Sequence, residues 1–294
     1  MYLKANTSEI KKRMQTSEKN KKFASMPTKE LSCWQNLEIK KLREACFYAQ
    51  KDFVIIDDDF ENAVSYLSSY SNSIRFNSIE IAKRIVKTIE DSKSKKIALI
   101  DCDRTVTAED TTIPFFELNG GDLNILKTIF ADDSYSHYQF CKQAKVYKNF
   151  SKYPDTKDFH FNTIVCDKIS VLKKQGYAVY GLTSGVLEIW KRLNEKYHIF
   201  ESVIGNDLSD SGFVISDFVK GFVAKFLKLK NCTVFSIGDS MCDIFMLEEA
   251  DSGYIYAPNK IRPLVQEYFC EHPKTKIKQF VRNPFQYNGI CAED

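Results

Sequence analysis

No C-x-x-C pair occurs anywhere in the 294 residues, although the chain carries nine cysteines, at positions 33, 46, 102, 141, 166, 232, 242, 270 and 291. That scatter excludes a zinc ribbon and a redox dithiol, and the odd count favours free thiols in a reducing compartment. The four histidines, His137, His160, His198 and His272, show no metal-ligand spacing either. Charge of one sign is missing as well: a net charge of +3 gives no concentrated basic field, so no nucleic-acid partner is expected. No stretch approaches the roughly 18 apolar residues of a membrane span. The opening MYLKANTSEIKKRMQ has no apolar h-region, so a cytoplasmic protein without a transmembrane segment is expected. Internal repeats and low-complexity tracts are absent. What is present, 44% hydrophobic and 28% charged residues, is the balance of a globular chain with a sizeable core, in one large domain or two ordinary ones.

The first part of the chain reads as helical. After a lysine-, serine- and threonine-rich start, Leu37, Ile39, Leu42, Ala45, Cys46 and Ala49 recur at helical steps, and FENAVSYLSSY and SIEIAKRIVKTIEDSK continue the pattern. Residues 1–94 therefore form a helical N-terminal extension, with at most a short strand at DFVII, and are open to a protein partner. After Lys96 short apolar runs take over: KIALID (96–101), YAVYGL (177–182), CTVFSIG (232–238) and SGYIYA (252–257). Amphipathic segments separate them, so the pattern is βαβ, an α/β fold with a Rossmann-like parallel sheet. Ligands of such sheets gather beyond the carboxyl ends of the strands.

One interval is too long for a simple crossover. Between Val106 and Tyr177 the chain far exceeds the about 10–12 residues that a minimal βαβ connection needs. Its pattern is mostly helical, with a break at Asn119-Gly120-Gly121. The expected organisation is an α/β core over 95–106 and 176–294, with a helical cap inserted over 107–175 as a lid on the sheet's carboxyl edge.

The first core strand runs straight into two acids, in IALIDCDRTV. Read as extended chain, Asp101 and Asp103 lie on the same side, about 6.5–7 Å apart, with Cys102 turned away. Two bare carboxylates at that distance repel by about 2.4 kcal/mol at an effective dielectric of 20, which predicts a cation or a proton between them. Magnesium, a hard ion that takes oxygen ligands, is the natural candidate. VFSIGDSMCDIFMLEEAD repeats the theme with Asp239 and Asp243, one helical turn apart and able to share a face. VIIDDDF also spaces two acids, Asp57 and Asp59, but it lacks the following threonine and is read as an acidic cap of a strand or helix end.

These segments carry a family resemblance. DCDRTV is similar to the first motif of the haloacid dehalogenase superfamily, D-x-D-x-T-[LV], and GDSMCDIFML resembles its closing G-D-x-x-x-D. YGLTSGV looks like the second motif, and VKGFVAKFLK like the Lys-Gly of the third as phosphoserine phosphatases carry it. The resemblance spans about residues 95–257, in the family's order. It implies a magnesium-dependent phosphomonoester hydrolase acting on a small phosphorylated substrate. Asp101 would be the nucleophile that forms an aspartyl-phosphate, and Asp103 the acid and base. Mg2+ would be held by the Asp101 carboxylate, the Asp103 carbonyl and Asp239, with Asp243 orienting the ligands. Lys220 would neutralise phosphoryl oxygens, in preference to Lys225, and Thr105, Thr183, Ser184 and Gly185 would bind substrate. Of the two adjacent hydroxyls, Ser184 fits the family's Ser-Gly turn better, with Thr183 left open.

The same resemblance bears on the substrate. The insertion has the position of the helical cap of the phosphoserine phosphatase-like branch. There an acid after the first motif and a cap arginine hold the substrate's amino and carboxyl groups. Asp110 stands in the acid's register, and Lys145 where the family carries arginine, without arginine's bidentate fork. Phosphoserine is thus a candidate. A protein phosphatase or phosphotransferase using the same site, and an idle phospho-ligand binder, are the alternatives.

Overall fold

The computed structural model describes residues 2–3, 7–56, 60–72, 77–131, 135–206 and 213–280. The acidic pair Asp57 and Asp59 lies outside the described residues. The chain divides into two compact units, Met1–Ser73 and Ile74–Asp294.

The first unit contains β1 (Tyr2–Leu3), α1 (Thr7–Thr16), α2 (Thr28–Tyr48), β2 (Ile55–Ile56) and α3 (Phe60–Asn72). β1 and β2 pair in parallel, Tyr2 opposite Ile55, and the Tyr2 hydroxyl donates to Glu38 at 2.7 Å. The strand expected at DFVII is thus β2, and its partner is the short β1.

The second unit opens with α4 (Ser78–Glu90), which was expected to belong to the N-terminal extension. It stays with the sheet domain because Ile81, Ala82, Ile85, Val86 and Ile89 form a buried stripe at helical spacing. Asn77 caps it, its Oδ1 accepting from Ile79 N at 2.8 Å. Then follow β3 (Lys96–Ile100), α5 (Thr112–Leu118), α6 (Leu123–Ile129), α7 (His137–Tyr147), α8 (Thr163–Lys174), β4 (Ala178–Val186), α9 (Leu187–Tyr197) and β5 (Ser202–Asn206). The chain continues through α10 (Asp217–Leu229), β6 (Thr233–Gly238), α11 (Ile244–Glu249), β7 (Ser252–Tyr256), α12 (Pro263–Glu271) and β8 (Lys278–Phe280).

Six strands form one parallel sheet in the order β5-β4-β3-β6-β7-β8. Both faces are covered. Ala98, Ile100 and Cys102 join a core with Val165, Ile169 and Trp190 from α8 and α9. The alternate residues turn the other way, and Ser236 of β6 reaches the Met246 carbonyl of α11. α10 packs against both α4 and α11. Two-sided burial is why the strands read as uninterrupted apolar runs. It is also why β5, with the sequence SVIGN, escaped the sequence reading: it is short, and it carries a glycine and an asparagine.

The order places the reversal of winding at β3 and β6. β3 leads outward to β4 and β5, and the chain then returns to β6 on the other side of β3. Ile100 pairs with Ile237, so Asp101 and Asp239 emerge side by side at the carboxyl edge, where such sheets bind ligands.

The helical insertion leaves and re-enters through a narrow neck. Thr107 bridges Phe161 in antiparallel fashion, Ala108 N donates to the His160 carbonyl at 2.8 Å, and Asn162 N donates to the Val106 carbonyl at 2.8 Å. The segment therefore closes at 160–162, not at 175. α8 lies beyond the neck and packs on β4 as an ordinary crossover helix.

Candidate active site

Asp101 directly continues β3. Its amide still donates to the Ile237 carbonyl at 2.9 Å, which fixes its side chain over the sheet edge. One carboxylate oxygen accepts from Lys220 Nζ at 2.6 Å and the other from the Thr105 hydroxyl at 2.9 Å. Thr105 is fully buried; its hydroxyl serves the carboxylate, and it is not among the residues that line the cavity above the site.

Lys220 sits in the first turn of α10, which Ser216 caps through Val219 N. Its ammonium is 1% exposed and also donates to Asp243 at 2.7 Å. Burial alone would lower its pKa, but the carboxylates of Asp101 and Asp243 override that and hold it well above the ordinary lysine range. Lys225, the competing lysine, instead pairs with Glu249 at 3.6 Å.

Asp243 is fully buried. Its second oxygen accepts from Asp239 N and Ser240 N, both at 3.1 Å, and from the Ser240 hydroxyl at 2.9 Å. These bonds hold the turn after β6 shut. At Gly238 an added Cβ would fall on the Asp243 side chain. Asp239 meets the guanidinium of Arg262. Burial and the neighbouring Asp101 push the Asp239 carboxyl well above the usual carboxylate range, against the pull of Arg262. Burial and Asp243 push Asp101 up to about 7, against the opposing effect of Lys220.

Asp101, Asp239 and Asp243 each offer an oxygen within 4.8 Å of the others. Ionised together, these three buried carboxylates would outnumber by one charge the two cations that face them, Lys220 and Arg262. An all-oxygen donor set with surplus negative charge fits a hard divalent cation. Asp243 already accepts four hydrogen bonds, so Asp101 and Asp239 have the freer oxygens.

Asp103 tells a different story from the one its spacing predicts. β3 ends at Ile100, and Asp103 lies in the turn that follows, with Arg104 at φ 59°. Its carboxylate is outside the acidic cluster. One oxygen accepts from Thr111 N at 2.8 Å and the Thr111 hydroxyl at 2.6 Å. The other accepts from the Thr183 hydroxyl at 3.0 Å and from Trp190 Nε1 at 3.1 Å. Four hydrogen-bond donors answer its charge. Burial, and then Asp110, still push its pKa up to about 6 against the lowering by these donors. Cys102 turns into the core as expected.

The second-motif segment occupies an irregularity of β4, where pairing with β5 slips between Leu182 and Val186. Such a bulge re-aims side chains, and Thr183, Ser184 and Gly185 all line the cavity. Thr183 bonds Asp103, while the Ser184 hydroxyl donates to the Ile215 carbonyl at 2.7 Å. Both hydroxyls thus have protein partners. Gly185 passes so close to Asp103 that a Cβ would collide with its carboxylate.

The cavity above these groups has a volume of about 350 Å³ and reaches Asp101, Asp103, Asp110, Lys220, Asp239 and Arg262. Asp110 is at its wall, where it accepts from Thr112 N at 3.1 Å and pairs with Arg104 at 3.3 Å. Lys145 does not reach it. α7 turns Phe140 and Gln143 to the cavity, and a residue two positions beyond Gln143 points to the opposite side of a helix; Lys145 is accordingly exposed.

Thr111, Trp190 and Arg262 were not anticipated from sequence. Trp190 is fully buried at the start of α9, and only its hydrogen bond to Asp103 distinguishes it from core packing. Trp190→Phe is expected to cost about 1.5–3 kcal/mol of stability in urea unfolding, the range for losing a hydrogen bond to a charged group. An unchanged unfolding midpoint would show that the indole only fills space.

No family model and no curated protein matches the sequence. Among solved structures, the chain is similar to a phospho-aspartyl intermediate analogue of phosphoserine phosphatase, with TM-score 0.45 and 20% identity over 63% of this chain and 93% of that one. It is similar to a substrate-bound phosphoserine phosphatase complex, with TM-score 0.45 and 19% identity over 63% and 93%. A HAD family hydrolase from Salmonella enterica subsp. enterica serovar Typhi gives TM-score 0.47 and 15% identity over 66% and 74%. Among the described residues no helix is long and apolar enough to cross a membrane.

Proposed function

We propose that the chain is a magnesium-dependent phosphomonoester hydrolase that works through an aspartyl-phosphate on Asp101. The observation that carries this reading is the placement of two unlike carboxylates in one cavity. Asp101 is bound to a buried ammonium at 2.6 Å and belongs to the acidic cluster that a divalent cation would neutralise, whereas Asp103 is held away from the cluster by neutral donors. The first is suited to attack and the second to proton transfer.

In this mechanism an Asp101 oxygen forms a bond to phosphorus as the ester P–O bond breaks. The leaving oxygen takes the proton of Asp103, whose raised pKa keeps a fraction protonated near neutrality. Asp103, now ionised, takes a proton from a water molecule that attacks the same phosphorus. The P–O bond to Asp101 breaks, and inorganic phosphate leaves. Lys220 stays charged throughout and balances the phosphoryl oxygens beside Asp101. Asp101 and Asp239 would hold Mg2+, which when bound supplies Lewis-acid stabilisation of phosphoryl charge. The cavity volume of about 350 Å³ suits a small molecule.

The test is release of inorganic phosphate from a panel of alkyl phosphomonoesters, with Mg2+ and with chelator. Turnover is expected only with the metal. Asp239→Asn should raise the Mg2+ concentration needed for half-maximal rate by about 10-fold or more, since loss of even a hydrogen-bond partner of a ligand costs that much. No metal-dependent phosphate release from any ester would sink the proposal.

A further inference from the structure

We propose that the cavity takes phosphomonoesters whose alcohol portion is apolar, an aryl-alkyl or alkyl group, rather than a zwitterionic amino acid; the inference rests on the hydrolase reading above. Its roof is built by the helical insertion from Ile113, Leu123, Leu126, Phe130, Tyr135 and Phe140. Leu123 and Leu126, three residues apart, share the face that α6 turns to the cavity, and Phe130, which caps the helix with its amide donating to the Leu126 carbonyl at 3.0 Å, continues that face. Phe130 lies 6.0 Å from Tyr135 and 5.1 Å from Phe140 between ring centroids, making a joined aromatic surface. Leu123, Leu126, Phe130 and Tyr135 are only partly buried, so apolar area is left for a ligand to cover.

The polar groups needed by a zwitterion are committed elsewhere. Asp110 is engaged by Arg104 and by Thr112 N. Lys220 is held by Asp101 and Asp243, and Arg262 by Asp239. Gln143 donates inward to the Tyr147 hydroxyl at 3.1 Å. Among the described residues, Lys127 is the one basic side chain that the insertion brings to this cavity, and it is exposed. An α-carboxylate and an ammonium against this roof would lose water without gaining fixed partners, which is unfavourable. A phenyl or alkyl group would meet aromatic and leucine side chains.

Hydrolysis of 2-phenylethyl phosphate and O-phosphoserine, both primary alkyl esters, tests this. With Mg2+ present, kcat/KM is expected to be about 10-fold or more higher for the phenylethyl ester. Phe130→Ala and Leu126→Ala should each narrow that ratio. A ratio of one or less, with turnover present, overturns the inference and leaves the hydrolase reading standing. If neither these esters nor the wider panel is hydrolysed, the hydrolase reading fails, and binding to the wild-type protein decides the ligand class. Calorimetry would compare the non-hydrolysable isosteres 3-phenylpropylphosphonate and 2-amino-4-phosphonobutanoate. Tighter binding of the phenyl compound by about 10-fold or more supports the apolar class; equal or weaker binding overturns it.

Discussion

Asp101→Asn is expected to lower kcat by about 10⁴-fold or more, the scale on which loss of a nucleophile acts, while the chain stays folded. Asparagine has the same shape: its amide oxygen can still accept from the Lys220 ammonium, and its amide nitrogen can donate to the Thr105 hydroxyl oxygen, the two groups that now hold the carboxylate at 2.6 and 2.9 Å. Lys220 also keeps Asp243, at 2.7 Å. The sign of the stability effect follows from the raised pKa of Asp101, about 7 against an ordinary 3.8. An acid whose folded pKa is raised stabilises the fold while protonated, and that contribution is lost as pH climbs from about 4 through 7. The wild-type chain in chelator should therefore lose stability over this window, and the Asn variant should lose less. Urea unfolding at pH 5 and pH 8, with single-turnover phosphate release, makes both comparisons. A variant within tenfold of wild-type turnover would remove Asp101 from the nucleophile's role.

Lys220→Met is expected to have the largest effect on stability. The ammonium lies between two carboxylates, and all three groups are buried. Removing it leaves Asp101 and Asp243 facing each other without a cation. Breaking such a buried pair costs about 3–5 kcal/mol, and for a chain of this size each kcal/mol shifts Tm by about 2–4 °C. Without the cation the Asp101 pKa can only rise further, so the deficit should be larger at pH 8 than at pH 5. Thermal unfolding at the two pH values measures this. Phosphate release should fall as well, because the phosphoryl charge loses its fixed counter-charge. A variant as stable as wild type at pH 8 would mean that the acids have another partner.

The motif strands were legible because a sheet buried on both faces demands uninterrupted apolar runs, and IALI, directly before Asp101, is such a run. The acids at their ends were legible for the same reason: charge directly after a buried strand has to emerge at the sheet's edge. Hence Asp101, Asp239 and Asp243 could be named from the chain alone, and the structure brings their oxygens within 4.8 Å of one another. Lys220 was readable from its glycine neighbour and the motif order.

Other features had no local signature. Asp103 was expected to face the same point as Asp101, with a cation or a proton between them, because extended chain puts residues two apart on one side. The strand ends one residue before Asp101, and the turn carries Asp103 to donors 8, 80 and 87 positions away in sequence, at Thr111, Thr183 and Trp190. No periodicity links those positions; only packing of α9 against the end of β4 and the neck of the insertion does. Lys145 was assigned from register with a family segment, but which side of α7 meets the cavity depends on how the insertion docks. Sequence by itself determined the four strands read from it, at 96–101, 177–182, 232–238 and 252–257, and the acids that follow two of them, because burial and strand period act locally. The tertiary structure decided which donors hold Asp103, where the insertion closes and what its roof presents to a ligand, because those depend on contacts closed across long stretches of chain.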